Sequence, residues 1–292
     1  MSAFTTRPTH CSRRRRTGRW KAFPLMSSAE TRIQFLSAPA EVKMADAWYE
    51  IAHLDHFWIR RRFNVLRRLA GGLIRQAHAI AEVGCGRGLL QRQIEDHYQR
   101  KVTGFDLNHT ALKGSVSRIS PLCCYNLLER HQEYRGHFDL ILLFDVLEHI
   151  DDEDGFLDAL QFHLAVGGKV LINVPACQWL YSEYDRAAGH VRRYGIDSLH
   201  HVANRNRLIV GRYTYWGLPF IPLLILRRLW ILEGTREEII ATGMSDRGAL
   251  MNHLLVLLSG CEWIPQRLLG TSLMAVFEAP SDGDCLANAQ HA

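Results

Sequence analysis

Residues 80–88 have the sequence IAEVGCGRG and decide the fold of this chain. A short apolar run that ends at Glu82 and Val83 predicts a buried parallel strand. Three glycines at alternate positions follow, and they allow a sharp turn with a ligand lying directly on the backbone. From Leu89 onward the apolar residues have helical spacing. The glycine loop is therefore expected at a helix N-terminus, where backbone N–H groups can bind polar ligand groups.

The spacing of the glycines separates two classes of ligand. A dinucleotide fingerprint is G-x-G-x-x-G, and here Leu89 occupies the position of its third glycine, which comes one residue early. Glu82 faces the loop, and a carboxylate suits an amine or a sulfonium better than a pyrophosphate. A nicotinamide-dependent oxidoreductase stays open as an alternative, although the chain has no Tyr-x-x-x-Lys pair in support of it.

Strand and helix patterns alternate after the loop. Residues 102–106 predict a strand that ends in Asp106, about 20 residues past the loop, where a carboxylate can bind both ribose hydroxyls in a doubly wound fold. Residues 138–145 predict a third strand. Acidic residues then open a helix that is expected to end at Gly167-Gly168, followed by a strand over 169–174. This alternation predicts an α/β fold with a parallel sheet.

At this point the chain resembles the class I S-adenosylmethionine-dependent methyltransferases over roughly residues 44–279. It is most similar to a bacterial subgroup that acts on small molecules or lipids. The resemblance implies a Rossmann-like, doubly wound, mostly parallel sheet of seven strands, the last of them antiparallel. It also implies an N-terminal helical extension and a C-terminal apolar helical insertion. The residues that carry it are Glu82-Val83-Gly84-Cys85-Gly86-Arg87-Gly88, Gly104-Phe105-Asp106, Phe138-Asp139, Asp145-Val146-Leu147-Glu148-His149 and Gly167-Gly168-Lys169.

The resemblance also implies a cofactor, S-adenosyl-L-methionine, and a set of residues that bind it. Glu82 is expected near the methionine amino group and Asp106 on the ribose, while Phe144 and Asp145 line the cofactor at the end of their strand. Asn126 stands where the family often has an acid that contacts the adenine amine. The complete predicted set is Glu82, Gly84, Cys85, Gly86, Gly88, Asp106, Leu107, Asn126, Phe144 and Asp145.

Candidate catalytic groups are concentrated in residues 176–199, after the fourth core strand. His190 is the predicted base for a hydroxyl acceptor, because imidazole titrates near the working pH. Asp185 would orient His190, and Arg193 would hold an anionic substrate group. A purely structural role for His190 stays open, and His149 is expected to be structural. The pair His200-His201 has no acid or cysteine at ligand spacing, so no metal is expected.

The sequence divides into five segments of different composition. The expected segments are a disordered basic leader (1–28), an N-terminal helical lid (29–75), the S-adenosylmethionine-binding core (76–206), the last strands with an apolar helical insertion (207–280) and a tail (281–292). The net charge of +5 comes from the leader, because residues 1–29 hold seven basic residues and no acid. The core therefore predicts no specific nucleic-acid partner. Nonspecific RNA or phospholipid binding by the leader, a transit peptide and a later start all stay open.

An apolar segment at 216–232 is too short and too charged to span a membrane. A lid over the substrate, a homodimer contact and a peripheral membrane contact are the three interpretations left open for it. The seven cysteines form no C-x-x-C pair, which favours a reducing compartment and a cytoplasmic location. The predicted function is O- or C-methylation of a small or lipid-like metabolite. A non-catalytic interaction or membrane-docking protein on the same fold is the second alternative.

Overall fold

The computed structural model describes residues 32–40, 42, 47–230, 235, 238–240 and 248–279. The predicted leader at 1–28 and the predicted tail at 281–292 lie outside the described residues. Within the described ranges, no helix combines the length and the apolar character that crossing a bilayer requires.

One sheet holds the eight strands of the described residues, in the order β1-β4-β3-β2-β5-β6-β8-β7. β8 runs antiparallel to both of its neighbours, and the other pairings are parallel. The strands are β1 (Ile33–Phe35), β2 (Ile80–Val83), β3 (Thr103–Asp106), β4 (Leu122–Cys124), β5 (Phe138–Phe144), β6 (Leu164–Pro175), β7 (Ile209–Trp216) and β8 (Ser272–Glu278). The predicted doubly wound, mostly parallel sheet with a final antiparallel strand is confirmed.

Helices cover both faces of this sheet. They are α1 (Ala47–Ile51), α2 (Phe57–Gln76), α3 (Leu89–Tyr98), α4 (His109–Lys113), α5 (Glu153–His163), α6 (Glu183–Ala188), α7 (Ile196–Arg205), α8 (Ile221–Trp230) and α9 (Ala249–Gly260). β5 shows the two-sided burial, because Leu140 and Leu142 pack with α2 and α3 while Ile141 and Leu143 pack with α5 and α7. A strand buried on both faces needs the continuous apolar run FDLILLF.

The prediction of seven strands is wrong by one. The additional strand is β1, which pairs in parallel with β4 at the sheet edge, with Ile33 opposite Leu122. β1 also lies inside 29–75, the segment expected to be a helical lid. Three residues suffice for this strand, because the open edge of β4 offers backbone partners that a sequence pattern does not reveal.

The N-terminal helix α2 continues through Gly71-Gly72 and stops at Gln76. Only the first of these two glycines has a close neighbour. A Cβ at Gly71 would lie 2.6 Å from the Tyr98 hydroxyl oxygen, so a larger residue there would displace the Tyr98 side chain of α3. Gly72 has open space beside it.

The helix before β6 ends at His163 rather than at Gly167-Gly168. The two glycines belong to a bulge inside β6, because Phe138 pairs with Leu164 and Leu140 already pairs with Lys169. Gly167 has φ +74°, a conformation that favours glycine. The glycine pair therefore marks an irregular strand entry and not a helix end.

Candidate active site

The glycine loop between β2 and α3 is tied to the end of β3. Gly84 and Gly86 have φ +71° and +52°, in the left-handed region where a side chain would be strained. The N–H groups of Gly84 and Cys85 donate to the Phe105 carbonyl at 2.8 and 3.1 Å. Gly86 N–H donates to Asp106 Oδ2 at 2.7 Å. The loop is thus held open at the carboxyl edge of the sheet.

Two cavities of about 170 and 470 Å³ meet at this loop, and Tyr49, Gly84 and Asp145 line both of them. Of the other predicted residues, the smaller cavity is lined by Glu82, Cys85, Gly86, Phe144, His190 and Arg193. The larger cavity is lined by Asp106, Leu107 and Asn126. Gly88 and Asp185 line neither cavity. The structure therefore brings together the two sets of residues that the sequence predicted separately.

Asp106 lies at the floor of the larger cavity. Each of its oxygens already accepts one backbone N–H group, from Asn108 at 2.8 Å and from Gly86 at 2.7 Å. Burial raises the pKa of Asp106. Across the same cavity Asn126 uses its Oδ1 to cap the following turn, accepting from Leu128 N–H at 3.1 Å. Its amide group is the part left to face a ligand.

Glu82 is the buried carboxylate of the smaller cavity. Its Oε2 has no hydrogen-bond partner, and the side chain is almost wholly excluded from solvent. Burial raises the pKa of Glu82 to about 8, with Arg62 opposing and Asp106 adding to the shift. A cationic group placed here would restore the ionised form.

Asp145 joins the two cavities in a strained conformation. Its φ is +57°, a region that a non-glycine residue rarely adopts. Asp145 Oδ1 accepts from Asn173 Nδ2 at 2.6 Å, and Oδ2 pairs with the Arg62 guanidinium. Asn173 Oδ1 in turn accepts from the Trp216 indole at 2.9 Å. The strain is held by this network of buried hydrogen bonds.

The predicted Asp185–His190 pair forms in the structure. His190 Nδ1 lies 2.9 Å from Asp185 Oδ1, which also accepts from Arg193 Nε at 2.8 Å. Burial alone would raise the pKa of Asp185, but the donors from His190 and Arg193 lower it to about 2. Arg193 also donates from Nη1 to the Ala176 carbonyl at 3.1 Å. It therefore holds the pair in place, and its contact with an anionic substrate stays a prediction.

Beside His190 lies Glu148, whose carboxylate is 1% exposed. Neither of its oxygens has a hydrogen-bond partner. Burial, together with the negative charge of Asp145, raises the pKa of Glu148 well above its ordinary value. The ring of the neighbouring His149 lies 4.9 Å from that of His190.

With this geometry established, the methyltransferase-domain family matches residues 53–208, which is more than half of the chain. The chain belongs to this family. The expected class I S-adenosylmethionine-dependent methyltransferase fold and its cofactor class are thereby confirmed.

Similar curated proteins match only in part. A ubiquinone biosynthesis O-methyltransferase of Shewanella pealeana is 28% identical over 120 residues, covering 38% of this chain and 49% of that protein. A ubiquinone biosynthesis O-methyltransferase of Yersinia pestis (strain Pestoides F) is 27% identical over 130 residues, covering 41% of this chain and 52% of that protein. The chain spans about half the length of the curated relatives it matches.

Solved structures of low identity share the fold. A SAM-dependent methyltransferase from Archaeoglobus fulgidus superposes with a TM-score of 0.50 and 15% identity, over 75% of this chain and 94% of that one. Haemonchus contortus phosphoethanolamine N-methyltransferase 2, bound to phosphomonomethylethanolamine and S-adenosylhomocysteine, superposes with a TM-score of 0.50 and 17% identity. The match covers 80% of this chain and 57% of that one.

The residues present fit the methyltransferase cofactor. Glu82 supplies a buried oxygen without a partner where the resemblance implies an ammonium group. At Gly86 a Cβ would lie 3.0 Å from the Tyr49 ring, so a larger residue would narrow the space between the loop and α1. Cys85 is buried, and burial raises the pKa of its thiol, so its side chain packs inside the loop in the neutral form.

Sequence reasoning missed two residues of this methyltransferase site, Arg62 and Tyr49. A run of arginines usually marks a solvated helix face, but Arg61 and Arg62 of α2 are only 4% and 8% exposed. Arg61 pairs with Glu262 at 2.9 Å, and Arg62 with Asp145. The available signal was helical spacing, because Arg62 follows Trp58 by four residues on the face that packs inward.

The apolar segment at 216–232 has a mixed role, and residues 231–232 lie outside the described residues. Trp216 is fully buried and hydrogen-bonded to Asn173, so this residue of the segment does not support a membrane contact. On α8, Leu224 lines the smaller cavity, while Leu223 and Leu226 are exposed. The position of Leu224 favours the lid interpretation.

Proposed function

We propose that this protein transfers the methyl group of S-adenosylmethionine to an oxygen of a small, lipid-like acceptor. One observation carries the proposal: two cavities meet at the glycine loop, with Asp106 in one and Glu82 and His190 in the other. The names of the curated relatives, which are O-methyltransferases of ubiquinone biosynthesis, support oxygen as the acceptor atom.

Each part of the site has a separate task in this proposal. Asp106 and Asn126 bind the adenosine end of the cofactor, and Glu82 binds its amino-acid end. The cofactor supplies a methyl group that is already activated on a sulfonium, so the protein contributes alignment and exclusion of water. His190, oriented by Asp185, contacts the acceptor hydroxyl and activates it.

The acceptor is lipid-like because the walls of the smaller cavity are mostly apolar. Trp58, Leu224 and Ile240 are among the apolar side chains that line it. A flat or extended hydrocarbon with one hydroxyl group fits this combination of apolar wall and single imidazole.

The test is transfer of labelled methyl groups from the cofactor into the lipid and aqueous fractions of a cell extract. Label is expected in the lipid fraction, on oxygen, and His190→Ala should reduce it at least a hundredfold. His201→Ala, on the exposed side of α7, is the matched control and should retain full transfer. Label on carbon would contradict the assignment of oxygen as the acceptor atom. The absence of any transfer by the wild type would favour a non-catalytic protein.

Cofactor class is tested separately by thermal shift. S-adenosylhomocysteine at about 100 times its dissociation constant should stabilise the fold by about 2.7 kcal/mol, whereas NADH should leave the melting temperature unchanged. Stabilisation by NADH alone would support the oxidoreductase instead.

A membrane contact belongs to the same proposal, and it lies on α2 and α9 as well as on α8. Arg60, Arg67, Arg68 and Arg75 are exposed along a groove of about 470 Å³ between α2 and α9. Burial, which is the largest cause, and the positive charges of Arg67 and Arg75 lower the pKa of His97 in this groove.

Next to the arginines, α9 presents an apolar stripe to solvent. Leu250, Leu254 and Leu257 follow at helical spacing and are 75%, 50% and 57% exposed. An apolar stripe flanked by cations has the chemistry of an anionic bilayer surface. We therefore assign this face to peripheral contact with an anionic membrane, from which a lipid-like acceptor would enter. Homodimerisation stays a prediction.

Cosedimentation with vesicles tests this face. Binding is expected to vesicles containing phosphatidylglycerol and not to pure phosphatidylcholine, and Arg67→Ser/Arg68→Ser should weaken it about tenfold. Arg118→Ser/Arg212→Ser removes the same charge from other exposed positions and is the control. If both double variants lost vesicle binding equally, the binding would depend on net charge alone, which would contradict the assignment of this face.

A further inference from the structure

Three potential metal ligands converge where the two cavities meet. One ligand atom each from Glu148, His149 and His190 lies within 4.8 Å of the other two. Glu148 and His149 follow β5, whereas His190 follows α6, so the fold brings them together from separate segments. Glu148 and His190 line the smaller cavity and His149 lines the larger one.

Both histidines are oriented by hydrogen bonds at the nitrogen that faces away from the cluster. His190 Nδ1 lies 2.9 Å from Asp185 Oδ1, and His149 Nδ1 lies 3.0 Å from the Gly189 carbonyl oxygen. Both partners are acceptors, so in the neutral rings the proton is on Nδ1 and the lone pair is on Nε2. A carboxylate and a backbone carbonyl are the usual outer partners of histidines that bind metals.

Glu148 provides the independent observation. It is 1% exposed, and neither of its oxygens has a hydrogen-bond partner, although Oε1 lies 4.0 Å from His190 Nε2. An ionised carboxylate that is buried without donors is strongly destabilising unless a cation is bound to it. The ring nitrogens of two histidines thus lie within 4.8 Å of a buried carboxylate that no protein hydrogen-bond donor contacts.

We propose that Glu148, His149 and His190 bind a divalent transition-metal ion at the acceptor end of the site. Two imidazoles and one carboxylate favour ions from Mn²⁺ to Zn²⁺ over Mg²⁺, and they leave coordination positions open. The sequence predicted no metal, because ligands 41 residues apart form no spacing pattern.

This inference rests on the proposed function and defines how the acceptor is activated. The acceptor hydroxyl binds at an open position of the ion and releases its proton to water, since a bound cation lowers the pKa of an oxygen ligand. The resulting oxyanion attacks the methyl carbon, the carbon–sulfur bond breaks, and the electron pair stays on sulfur in the released thioether. His190 then acts on the acceptor hydroxyl through the ion, as its ligand, and not as a base in direct contact, and Asp185 is a positioning residue.

Metal binding is measured on the full chain after chelator treatment, without cofactor or acceptor. Calorimetry with Mn²⁺ or Zn²⁺ should give one site per chain, and Co²⁺ should give visible absorption bands of a nitrogen and oxygen site. Glu148→Gln and His149→Ala should each weaken binding at least tenfold. His131→Ala and His201→Ala, both exposed, are controls for the loss of a histidine.

The outcomes separate this inference from the proposed function. No binding by the wild type, or equal binding by Glu148→Gln and His149→Ala, would overturn the metal site. Methyl transfer that persists at full rate in chelator would also overturn it while leaving the proposed function intact. Metal binding with the expected variant losses, but with no stabilisation by S-adenosylhomocysteine, would keep the ion and remove the methyltransferase activity.

Discussion

Two buried glutamates of this protein have opposite surroundings. Glu95 on α3 is 5% exposed and accepts hydrogen bonds from two serine hydroxyls, Ser117 at 2.7 Å and Ser120 at 2.6 Å. It also accepts from the N–H groups of Arg118, Ile119 and Ser120. Glu148 is 1% exposed and has no hydrogen-bond donor on either oxygen.

The two environments shift the pKa values in opposite directions. Burial alone would raise the pKa of Glu95, but its donors lower it below the ordinary value. With no donors, burial raises the pKa of Glu148. Burial is therefore not what distinguishes a structural carboxylate from a functional one. The supply of hydrogen-bond donors distinguishes the two carboxylates. Glu95 accepts bonds that close the loop over residues 117–120, whereas Glu148 has no donor and is left for a ligand.

The largest expected effect is the loss of stability when Glu95 is replaced. Glu95→Ala leaves several buried N–H and O–H donors in residues 117–120 without an acceptor, so it should lower the free energy of unfolding by about 3 kcal/mol. Urea denaturation at pH 7 measures this loss. Glu133→Ala, at an exposed position, should change it by less than about 0.5 kcal/mol. Equal effects would mean that the hydrogen bonds of Glu95 are not maintained in solution.

The same glutamate has a defined pH signature. Its folded-state pKa is lowered, so its ionised form stabilises the fold above the ordinary pKa of about 4.5. This contribution is lost as the pH falls through the folded-state value. The stability difference between wild type and Glu95→Gln should therefore be constant from pH 6 to 8 and shrink below pH 4.5. A difference that grows towards low pH would contradict the assigned direction.

Glu82 should connect cofactor binding to proton release. Burial raises its pKa to about 8, so it is mostly protonated at pH 7 in the free protein and ionises above pH 8. An ammonium group bound beside it favours the carboxylate, so binding of S-adenosylhomocysteine should release close to one proton at pH 7 and fewer as the pH rises to about 8.

Calorimetry in buffers of different ionisation enthalpy measures that release. Glu82→Gln should abolish the buffer dependence, and Glu133→Gln should retain it as the control. For the free protein the sign is opposite to that of Glu95: the stability present below pH 4.5 is lost as the pH rises to about 8. Buffer-independent binding by the wild type would show that no ammonium group lies at Glu82.

Sequence patterns predicted the parts of the fold that are determined locally. The glycine loop, the strands that end in Glu82-Val83 and Asp106, and the pairing of Asp185 with His190 all follow from residues that are close in the chain. β1 was missed because its three residues depend on the edge of β4. Arg62 was missed because a charge run predicts a solvated face, and its partner Asp145 is 83 residues away.

The acceptor site was harder to predict for the same physical reason. The residues next to Glu148 in the sequence do not indicate that its carboxylate lacks hydrogen-bond donors, because the residues that surround it in space come from several segments. His149 and His190 meet only when the residues that follow α6 contact those that follow β5, as in the hydrogen bond from Val191 N–H to the Glu148 carbonyl. Spacing rules detect ligands that lie on one helix or one loop, and these three lie on two.

The smallest expected effect completes the comparison. In metal-free protein, Glu148→Gln should change the free energy of unfolding by less than about 1 kcal/mol, because a neutral amide replaces a carboxylate that had no donors to lose. Urea denaturation in chelator measures it beside Glu95→Gln. Added Mn²⁺ or Zn²⁺ should then raise the melting temperature of the wild type and not that of the variant. If Glu148→Gln in chelator cost as much as Glu95→Gln, Glu148 would have donors in solution, and a carboxylate already satisfied by the protein would have no need of a bound ion.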